Sequence, residues 1–549
     1  MNRTIILSLI ILLALTGSLF AAGQDEETAT PAIEVSAPGE FPIVGETYTM
    51  SMFNVQPSTI EDFETNDFTL WLEEKTNVHI DWELAPSASL NEKRTLLLAS
   101  GDYPEVFHQA GTTLDELVIY GGQGVFLPLQ DLIADHTVEL NRIFAEHPEY
   151  QAALTTPDGN QYDLPIISDC YHCTFSLKMW ILEDWLEELD LEMPRTTEEL
   201  YDVLTAFKNQ DPNGNGVQDE IPLSGAVNGW RTRVPGALMT AFIYYDDDRY
   251  FAMDDHTVQF VANKPGWREG LRYIKRLYDG GLLDPNAITQ ERSQLTSLAE
   301  NPGEPILGAS LGGWFGQFTV NGAESGRFTL YEAVPPLEGP DGFRTTGHFP
   351  YPLRPGNFQI TNQAEYPEIA VKWADLLYTR EATLRSTFGR PGEEWRWADD
   401  DQIGLNGEPA IYEVLNTYGT IQNVHWSSAA LAYKSAEHRL GSVRPEDIYV
   451  GASGGVEARL FDATNRLYDV GIAPEQVYPQ IVYMTEDQAS RNAQLQTAIN
   501  GYIEESTARF ITGDLDLDDD WDAYVSELDR IGLEEYLSIN QAAYDRSYR

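Results

Sequence analysis

An early part of the sequence alternates strand-like and helix-like patterns, and this alternation restricts the possible folds more than any other feature. Residues 48–53 and 78–84 carry apolar side chains at every second position, which is typical of a β-strand with one buried face. Between these runs, Phe68, Leu72 and Lys75 are spaced as on one face of a helix. Strand, helix and strand in this order predict a βαβ unit, so we expect the fold to open with an α/β lobe.

The chain length indicates more than one such unit. With 549 residues, the chain exceeds what a single hydrophobic core usually organises, so two or more large units are expected. No repeat of fixed period is visible, which argues against solenoids and propellers. Further helices are predicted over residues 90–100 before Gly101, over 180–189, from Pro194 to 207 and over 521–544, with a strand at 103–107. The sequence predicts a two-lobed α/β protein.

The first residues have the pattern of an export signal. A short positive end at Asn2-Arg3 is followed by an apolar run over residues 5–15 and by small residues up to Gly23. We interpret residues 1–23 as a cleavable signal peptide and residues 24–45, which lack apolar periodicity, as a flexible linker. The only two cysteines lie far downstream, so no lipid anchor is predicted and a periplasmic protein is expected.

The charge balance excludes some classes of partner. The chain has 35 Lys and Arg against 87 Asp and Glu, a net charge of −52. A surface of this sign repels phosphate backbones, so no nucleic acid partner is expected. A divalent cation or a neutral polar ligand is compatible with it.

Two cysteines, Cys170 and Cys173, have the C-x-x-C spacing of a redox pair or of half a zinc site. No further cysteine and no second pair of ligands is present, which argues against structural zinc. A local disulfide or two free thiols remain as the other interpretations.

One loop has the spacing of a calcium site. A hard cation takes six to eight oxygen ligands, and a tight loop can present alternate side chains to it. The loop begins with Asp211 at position 1. Gly216 is at position 6, where the loop must turn, and the backbone carbonyl of Val217 at position 7 would be a ligand. Position 12 is Pro222, so Glu220 at position 10 would take the role of the terminal carboxylate. The alternative is a metal-free turn rich in Asx and Gly. The predicted side-chain ligands are Asp211, Asn213, Asn215, Asp219 and Glu220.

Five segments carry a resemblance to a known family: residues 92–105, 180–186, 211–222, 510–514 and 521–524. They resemble the family 1 extracellular solute-binding proteins of ABC importers, and the resemblance spans nearly the whole chain after residue 23. The most similar subgroup includes the alginate-oligosaccharide-binding and lipoprotein-type proteins, in which a calcium loop of this form is found.

This resemblance implies a fold and a function. The fold would be the type II-like periplasmic-binding-protein fold, with an interlobe cleft and a hinge that closes on a saccharide. Lobe 1 would comprise residues 46–168 and 340–425, and lobe 2 residues 169–339 and 426–549. The chain would act without catalysis, as a monomer that delivers an oligosaccharide to a membrane permease, with Ca²⁺ in a structural role.

Sugar clefts use aromatic platforms for apolar faces and polar groups for hydroxyl edges. Candidates that lie outside helical stripes and beside turns are Trp230, Arg231, Trp314, Trp395, Arg396 and Trp426, together with Tyr171 and Tyr245. For each one, packing in a core is the competing interpretation. The remaining tryptophans on periodic faces are assigned to cores: Trp71, Trp82, Trp185, Trp267, Trp373 and Trp521.

Two other classes of function stay open. Ser310 lies in a G-x-S-x-G segment, the setting of a hydrolase serine, and His348, His425 and His438 follow it. The abundant carboxylates would also permit a glycosidase. The same two-lobed binder could instead present its ligand to a membrane sensor.

The net charge of the chain gives one indication of whether the ligand is neutral or charged. The net charge favours a neutral glycan unless the cleft is locally basic, for which the candidate cations are Arg231, Arg344, Arg354 and Arg396.

Overall fold

The structure is a computed structural model that describes residues 33–245, 249–321, 323–415, 421–427, 429–449, 453–469 and 474–549. The predicted signal peptide and the start of the predicted linker lie outside the described residues. Within the described ranges, no helix is both long and apolar enough to cross a membrane.

Strands occur along most of the described chain. They are β1 Tyr48–Gln56, β2 Val78–Pro86, β3 Val106–His108, β4 Ile166–Ser168, β5 Met179–Leu182, β6 Ile221–Ser224, β7 Phe251–Asp254, β8 Thr257–Phe260, β9 Leu307–Leu311, β10 Tyr331–Val334, β11 Leu353–Arg354, β12 Phe358–Ile360, β13 Trp395–Trp397, β14 Tyr412–Val414 and β15 Tyr433–Lys434.

Helices cover the sheets and form most of the carboxyl-terminal region. They are α1 Asp67–Thr76, α2 Leu90–Ser100, α3 Leu114–Gly122, α4 Gln130–His136, α5 Glu139–Glu146, α6 Pro148–Leu154, α7 Tyr171–Thr174, α8 Glu183–Glu188, α9 Thr197–Asn209, α10 Gly236–Met239, α11 Pro265–Asp279, α12 Arg292–Ala299, α13 Pro367–Leu377, α14 Arg380–Phe388, α15 Ala436–Leu440, α16 Ser453–Ala463, α17 Glu486–Thr512, α18 Trp521–Ile531 and α19 Leu533–Tyr548.

The predicted βαβ unit forms the centre of the first sheet, whose strand order is β12–β3–β1–β2. β1 and β2 pair in parallel, with Tyr48 opposite Val78. The intervening α1 begins after Asn66, whose side chain accepts a hydrogen bond from the Phe68 N–H. It ends at Asn77, which takes the left-handed conformation and donates its N–H to the Glu73 carbonyl. Local capping therefore sets both ends of this helix.

The second sheet has the order β10–β5–β9–β6 and combines parallel and antiparallel pairs. Beside it, α9 begins at a capping box in which Thr196 and Glu199 each accept a hydrogen bond from the other residue's backbone N–H. A third, short sheet has the order β11–β4–β15, and β7–β8 and β13–β14 form separate hairpins.

Two hydrophobic cores accompany the two large sheets. The first core includes Met52, Ile80, Phe358 and Trp373, and the second includes Trp180, Trp185, Trp267 and Ala309. Each core combines segments that are far apart in sequence, since the first spans residues 43–483 and the second 175–544. Two cores of this kind confirm the prediction of a two-lobed α/β fold.

The packing revises one expected lobe boundary. Trp426 and residues 429–431 belong to the first core, not to the second as the boundary at 425/426 implied. Val456 and Leu460 of α16 belong to the second core. We therefore propose that this connection between the lobes lies between residues 443 and 456.

The predicted linker is also shorter than expected. Residues 33–45 are packed against the first core, where Ile43 and Val44 are buried and Val35 forms an antiparallel bridge with Val44. The ammonium group of Lys372 donates hydrogen bonds to the Ser36 hydroxyl at 2.9 Å and to the Ala37 carbonyl at 2.8 Å. The prediction of a flexible linker over residues 24–45 is therefore wrong for its last 13 residues, 33–45.

Candidate functional site

A cavity of about 400 Å³ lies where the segments that connect the two cores come together. Lining residues at 173–176, 348–354 and 477–480 lie where the chain passes between the two cores, and the other lining residues come from loops of the second core. The lining residues are Cys173, Ser176, Trp230, Arg231, Tyr244, Arg249, His348, Phe349, Tyr351, Arg354, Val477, Tyr478 and Gln480. This volume and mixed lining are those of a small-molecule site.

Trp230 is the aromatic platform of this cavity. Its side chain is 37% exposed, and its backbone N–H donates to the Gln317 side-chain oxygen at 2.9 Å. One edge of the ring lies against Gly313, where an added Cβ would be 2.3 Å from a ring carbon. The missing side chain at Gly313 thus permits the position of the Trp230 ring.

Arg231 lines the cavity next to Trp230 and contacts two other lining residues. Its guanidinium lies over the Phe349 ring at 4.1 Å from the centroid, and its Nε donates to the Ser176 hydroxyl at 3.2 Å. The residue has a φ of 61°, an uncommon backbone conformation for arginine. The structure therefore places two predicted residues, Trp230 and Arg231, at the cavity, and their contact with a ligand stays a prediction.

Trp314 and Tyr171 lie near the cavity without lining it. Trp314 is partly buried, with its ring packed over Gly316 and tilted against Phe315 at 5.7 Å. The Tyr171 ring packs on Phe461 at 5.5 Å, and its hydroxyl donates to an Asp469 carboxylate oxygen at 3.0 Å.

Three other predicted aromatic residues are buried in cores, which corrects their assignment to the ligand. Trp395 is 0% exposed and donates its indole N–H to the Gly389 carbonyl at 2.9 Å. Trp426 is also 0% exposed, and its indole N–H donates to the Thr69 hydroxyl at 2.9 Å. Tyr245 is 2% exposed and packs against Trp267 at 5.0 Å. None of their rings presents a free face to the cavity.

Arg396 also lies elsewhere. It is exposed on the hairpin of β13 and β14, where its guanidinium pairs with Glu413 across the two strands. This position removes Arg396 from the candidate ligand contacts.

Several cavity residues were missed at the sequence level. Arg249 lies over the Tyr478 ring at 4.7 Å and donates to the Tyr478 carbonyl at 3.0 Å. The Tyr351 hydroxyl also donates to that carbonyl. These residues carry no local motif, and only their meeting in space makes them candidates. Tyr244 lines the cavity in place of its predicted neighbour Tyr245.

The two cysteines form a disulfide beside the cavity, which agrees with the local-disulfide interpretation. A cysteine binds zinc as a free thiolate, whereas the Cys170 and Cys173 sulfurs are bonded to each other. His172, between them in sequence, is the third member of a possible ligand cluster.

Burial lowers the pKa of the His172 imidazole to about 4. Burial also lowers the pKa of the neighbouring Lys178 to about 7, and its ammonium donates to the His172 carbonyl at 2.9 Å.

The predicted calcium loop is a tight turn held by its own side chains. The Asp211 carboxylate accepts the Gly216 N–H at 3.0 Å, and the Asn213 side-chain oxygen accepts the Asn215 N–H at 3.0 Å. Gly214 and Gly216 have positive φ angles of 67° and 76°. Glycine adopts these angles without steric cost, so the loop turns where the sequence predicted.

Within this loop, the Glu220 carboxylate gives the strongest indication of a cation-binding site. Both of its carboxylate oxygens are buried without a hydrogen-bond partner. Burial, with the charges of Asp219 and Asp211, raises the pKa of Glu220 above its usual value. A cation would satisfy and neutralise these oxygens. Among the described residues, the loop carboxylates do not converge within 4.8 Å, so binding would require them to move closer together.

Ser310 has no accessible position for catalysis. It lies within β9, is fully buried between β5 and β6, and donates its hydroxyl to the Leu311 carbonyl at 3.2 Å. A hydrolase nucleophile stands instead on an exposed turn beside a histidine.

Two α/β lobes with a polar and aromatic cavity between them define the class of two-lobed ligand-binding proteins. The family model described as bacterial extracellular solute-binding protein matches residues 56–384, and the chain belongs to this family. The fold is the two-lobed fold of such proteins, which confirms the family resemblance and the fold class predicted from the sequence.

Relatives of known identity cover the whole chain. The fructooligosaccharide ABC transporter substrate-binding protein FusA of Streptococcus pneumoniae is 30% identical over 560 aligned positions, which cover 99% of this chain and 98% of FusA. The solved structure of FusA in complex with kestose has a TM-score of 0.77 at 27% identity and covers 91% of this chain and 99% of its own. A second FusA structure, an EF-hand mutant in complex with fructo-nystose, has a TM-score of 0.75 with the same identity and coverage.

Proposed function

We propose that this protein is the substrate-binding component of an ABC importer and captures an oligosaccharide between its two lobes. The observation that carries the proposal is the Trp230 platform beside Arg231 in a cavity at the connections between the two lobes. A sugar stacks its apolar face on an aromatic ring and directs its hydroxyls to polar side chains. Ligand contacts to both lobes favour the closed form, which a membrane permease would then recognise. The protein performs no catalysis in this role.

Two further parts of the proposal concern the cell and the metal. We propose that residues 1–23 direct export and that the protein works as a monomer in the periplasm. We also propose that Ca²⁺ binds the loop through the predicted oxygen ligands, with a structural role. Support comes from the unpartnered Glu220 carboxylate and from the FusA relative, one of whose structures is described as an EF-hand mutant. The bound ion would supply positive charge to Asp211, Asp219 and Glu220.

Replacement of Trp230 by alanine tests the proposed ligand contact. Loss of the stacking surface should weaken oligosaccharide binding about fivefold, because one aromatic contact contributes on the order of 1 kcal/mol. Isothermal titration calorimetry with kestose and a panel of plant and algal oligosaccharides measures the change. The stability of the variant should stay close to that of the wild type, since the ring is partly exposed.

Trp397→Ala is the matched control, because Trp397 is 50% exposed on the β13–β14 hairpin and does not line the cavity. Its affinity should equal that of the wild type. Equal affinity of Trp230→Ala and the wild type would show that the ring does not contact the sugar. Failure of every saccharide to bind would contradict the proposed function itself.

A further inference from the structure

One face of the short β11–β4–β15 sheet carries a group of cations. In the register of this sheet, Arg354 lies opposite Ile166 and Lys434 opposite Ser168. Residues two apart on a strand share a face, so the Arg354 and Lys434 side chains project from the same side of the sheet. Arg439 reaches this side from α15 and donates to the Ser168 hydroxyl at 2.9 Å. We call Arg354, Lys434 and Arg439 the cationic face.

The cationic face points away from the first core. On the opposite side of the same sheet, Leu353 and Ile167 are buried in that core. Arg354 lines the 400 Å³ cavity, whereas Lys434 and Arg439 line a second, smaller space together with Glu457. Glu457 belongs to α16, which packs on the second core through Val456 and Leu460. The cationic face therefore lies on the lobe 1 side of the cleft.

The protein around them neutralises the three charges only in part, through the charge of Glu457, which acts on Lys434 without forming an ion pair. In the described part of the chain, the Arg354 guanidinium and the Lys434 ammonium donate no hydrogen bond and form no ion pair. Arg439 has a buried Nε without a partner. The nearby acid, Glu457, instead approaches His172 at 3.5 Å. Such a concentration of positive charge is costly to assemble and is unexpected in a chain with a net charge of −52.

The charges of the two arginines act on Lys434, and that of Arg439 also acts on Arg354. Burial, together with the charges of Arg439 and Arg354, lowers the pKa of Lys434 to about 7. Arg354 is exposed to solvent at the cavity, and partial desolvation together with the charge of Arg439 lowers the pKa of its guanidinium below its usual range. An anionic group placed among them would relieve this repulsion and accept hydrogen bonds from the unpartnered donors.

We propose that the captured oligosaccharide carries an anionic oxygen group, a carboxylate, sulfate or phosphate, and that the cationic face binds this group. This inference rests on the proposed function and names the chemical class of its ligand. It replaces the expectation of a neutral glycan, which the net charge of the whole chain favoured. Arg354 connects the cationic face to the cavity in which Trp230 offers a stacking surface.

Calorimetric titrations with neutral and acidic oligosaccharides of equal length test this inference. The probes are kestose, a trigalacturonate, and a sulfated and a phosphorylated trisaccharide, which separate the three anionic groups. At least one acidic probe should bind about tenfold or more tightly than kestose, and added salt should weaken only the acidic complex. The variants Lys434→Gln and Arg354→Gln should each weaken acidic binding about tenfold or more. Lys434 does not line the cavity of Trp230, so Lys434→Gln should leave kestose binding unchanged.

Lys275→Gln is the matched control, because Lys275 is also partly buried but pairs with Asp279 on α11 of the second core. Its affinities should match those of the wild type. Unfolding transitions of all variants check that each one is folded.

A measurement on the unmodified protein avoids dependence on the variants. Near pH 7.5, binding of an anion should raise the pKa of Lys434 and so take up protons from the buffer. Titrations in buffers of different ionisation enthalpy measure this uptake. Kestose should cause none. The groups that act on or line the space around Lys434 are Arg354 on β11, Tyr412 on β14, His425 ahead of β15, His438 and Arg439 on α15, and Glu457 on α16. Burial lowers the pKa of His438 to about 3 and that of His425 to about 4, far below this range.

The outcomes separate this inference from the proposed function. If kestose or another neutral glycan binds as tightly as every acidic probe, without proton uptake in any titration, the cationic face is not a ligand site and the oligosaccharide-binding proposal stands. If no saccharide of either class binds, both are wrong. Tight acidic binding that is unchanged in Lys434→Gln and Arg354→Gln would also overturn the assignment of the anion to this face.

Discussion

Replacement of Trp426 by alanine should lower the free energy of unfolding by about 3–5 kcal/mol, the range for removal of a large buried aromatic side chain. The Trp426 ring contacts Phe68 at 5.0 Å and both Phe63 and Trp82 at 5.5 Å between centroids. The substitution also leaves the buried Thr69 hydroxyl without the indole donor. Because these partners lie in the first core, the loss should appear in the unfolding of lobe 1. Urea denaturation followed by tryptophan fluorescence measures it.

Two controls distinguish a core residue from a ligand contact. Trp426→Phe retains most of the apolar surface and should lose less stability than Trp426→Ala. Trp397→Ala removes a half-exposed tryptophan and should have a small effect on unfolding. If Trp426→Ala unfolded like the wild type but no longer bound any oligosaccharide, Trp426 would face the ligand and its assignment to the core would be wrong.

Removal of calcium should produce the second large effect. An ion present at about 100 times its dissociation constant stabilises the folded state by about 2.7 kcal/mol, and at about 1,000 times by about 4.1 kcal/mol. Addition of a chelator should therefore lower the thermal unfolding midpoint, and re-addition of Ca²⁺ should restore it. The physical reason is the buried, unpartnered Glu220 carboxylate beside Asp219 and Asp211, whose mutual repulsion the ion would remove.

The pH dependence of this effect has a defined sign. The pKa of Glu220 is raised in the folded protein, so without the ion the folded state binds more protons than the unfolded state above the usual pKa of glutamate. The contribution of Glu220 to stability therefore decreases as the pH rises through this window. Ca²⁺ must displace the proton, so the stabilisation by Ca²⁺ should increase over the same window.

Glu220→Gln should abolish most of the response to Ca²⁺, whereas Glu188→Gln, a substitution of an exposed glutamate on α8, should preserve it. A wild-type midpoint that is the same with chelator and with Ca²⁺ would contradict the proposed metal site.

Features determined by neighbouring residues could be predicted from the sequence. The βαβ unit follows from apolar periodicity, and the start of α9 follows from the Thr196 capping box. The turn at Gly214 and Gly216 follows from the positive φ angles that glycine permits. In each case, the pattern that decides an element lies within that element or its cap.

Features determined by distant partners could not be predicted in this way. Trp426 is buried because Phe63 and Trp82, more than 300 positions earlier, enclose it, and no local pattern distinguishes it from a tryptophan in a cleft. Residues 33–45 have no apolar periodicity, but Lys372 binds the backbone of this segment from α13. The cationic face likewise requires the register of three strands that are far apart in the chain.

The location of the cavity at the connections between the lobes has a consequence for measured affinities. Cys173 and Tyr351 line the cavity and lie in segments that connect the two cores, and we propose that these segments bend when one lobe rotates relative to the other. An observed dissociation constant equals that of the closed form divided by the fraction of molecules already closed, so a closed population of about 1% weakens apparent binding about 100-fold. A substitution at these positions can therefore change the affinity through this population without altering any contact to the sugar. Comparison of closing rates with equilibrium binding would separate the effect of the closed population from the effect of direct contacts to the sugar. Selection for a new ligand could act on either effect.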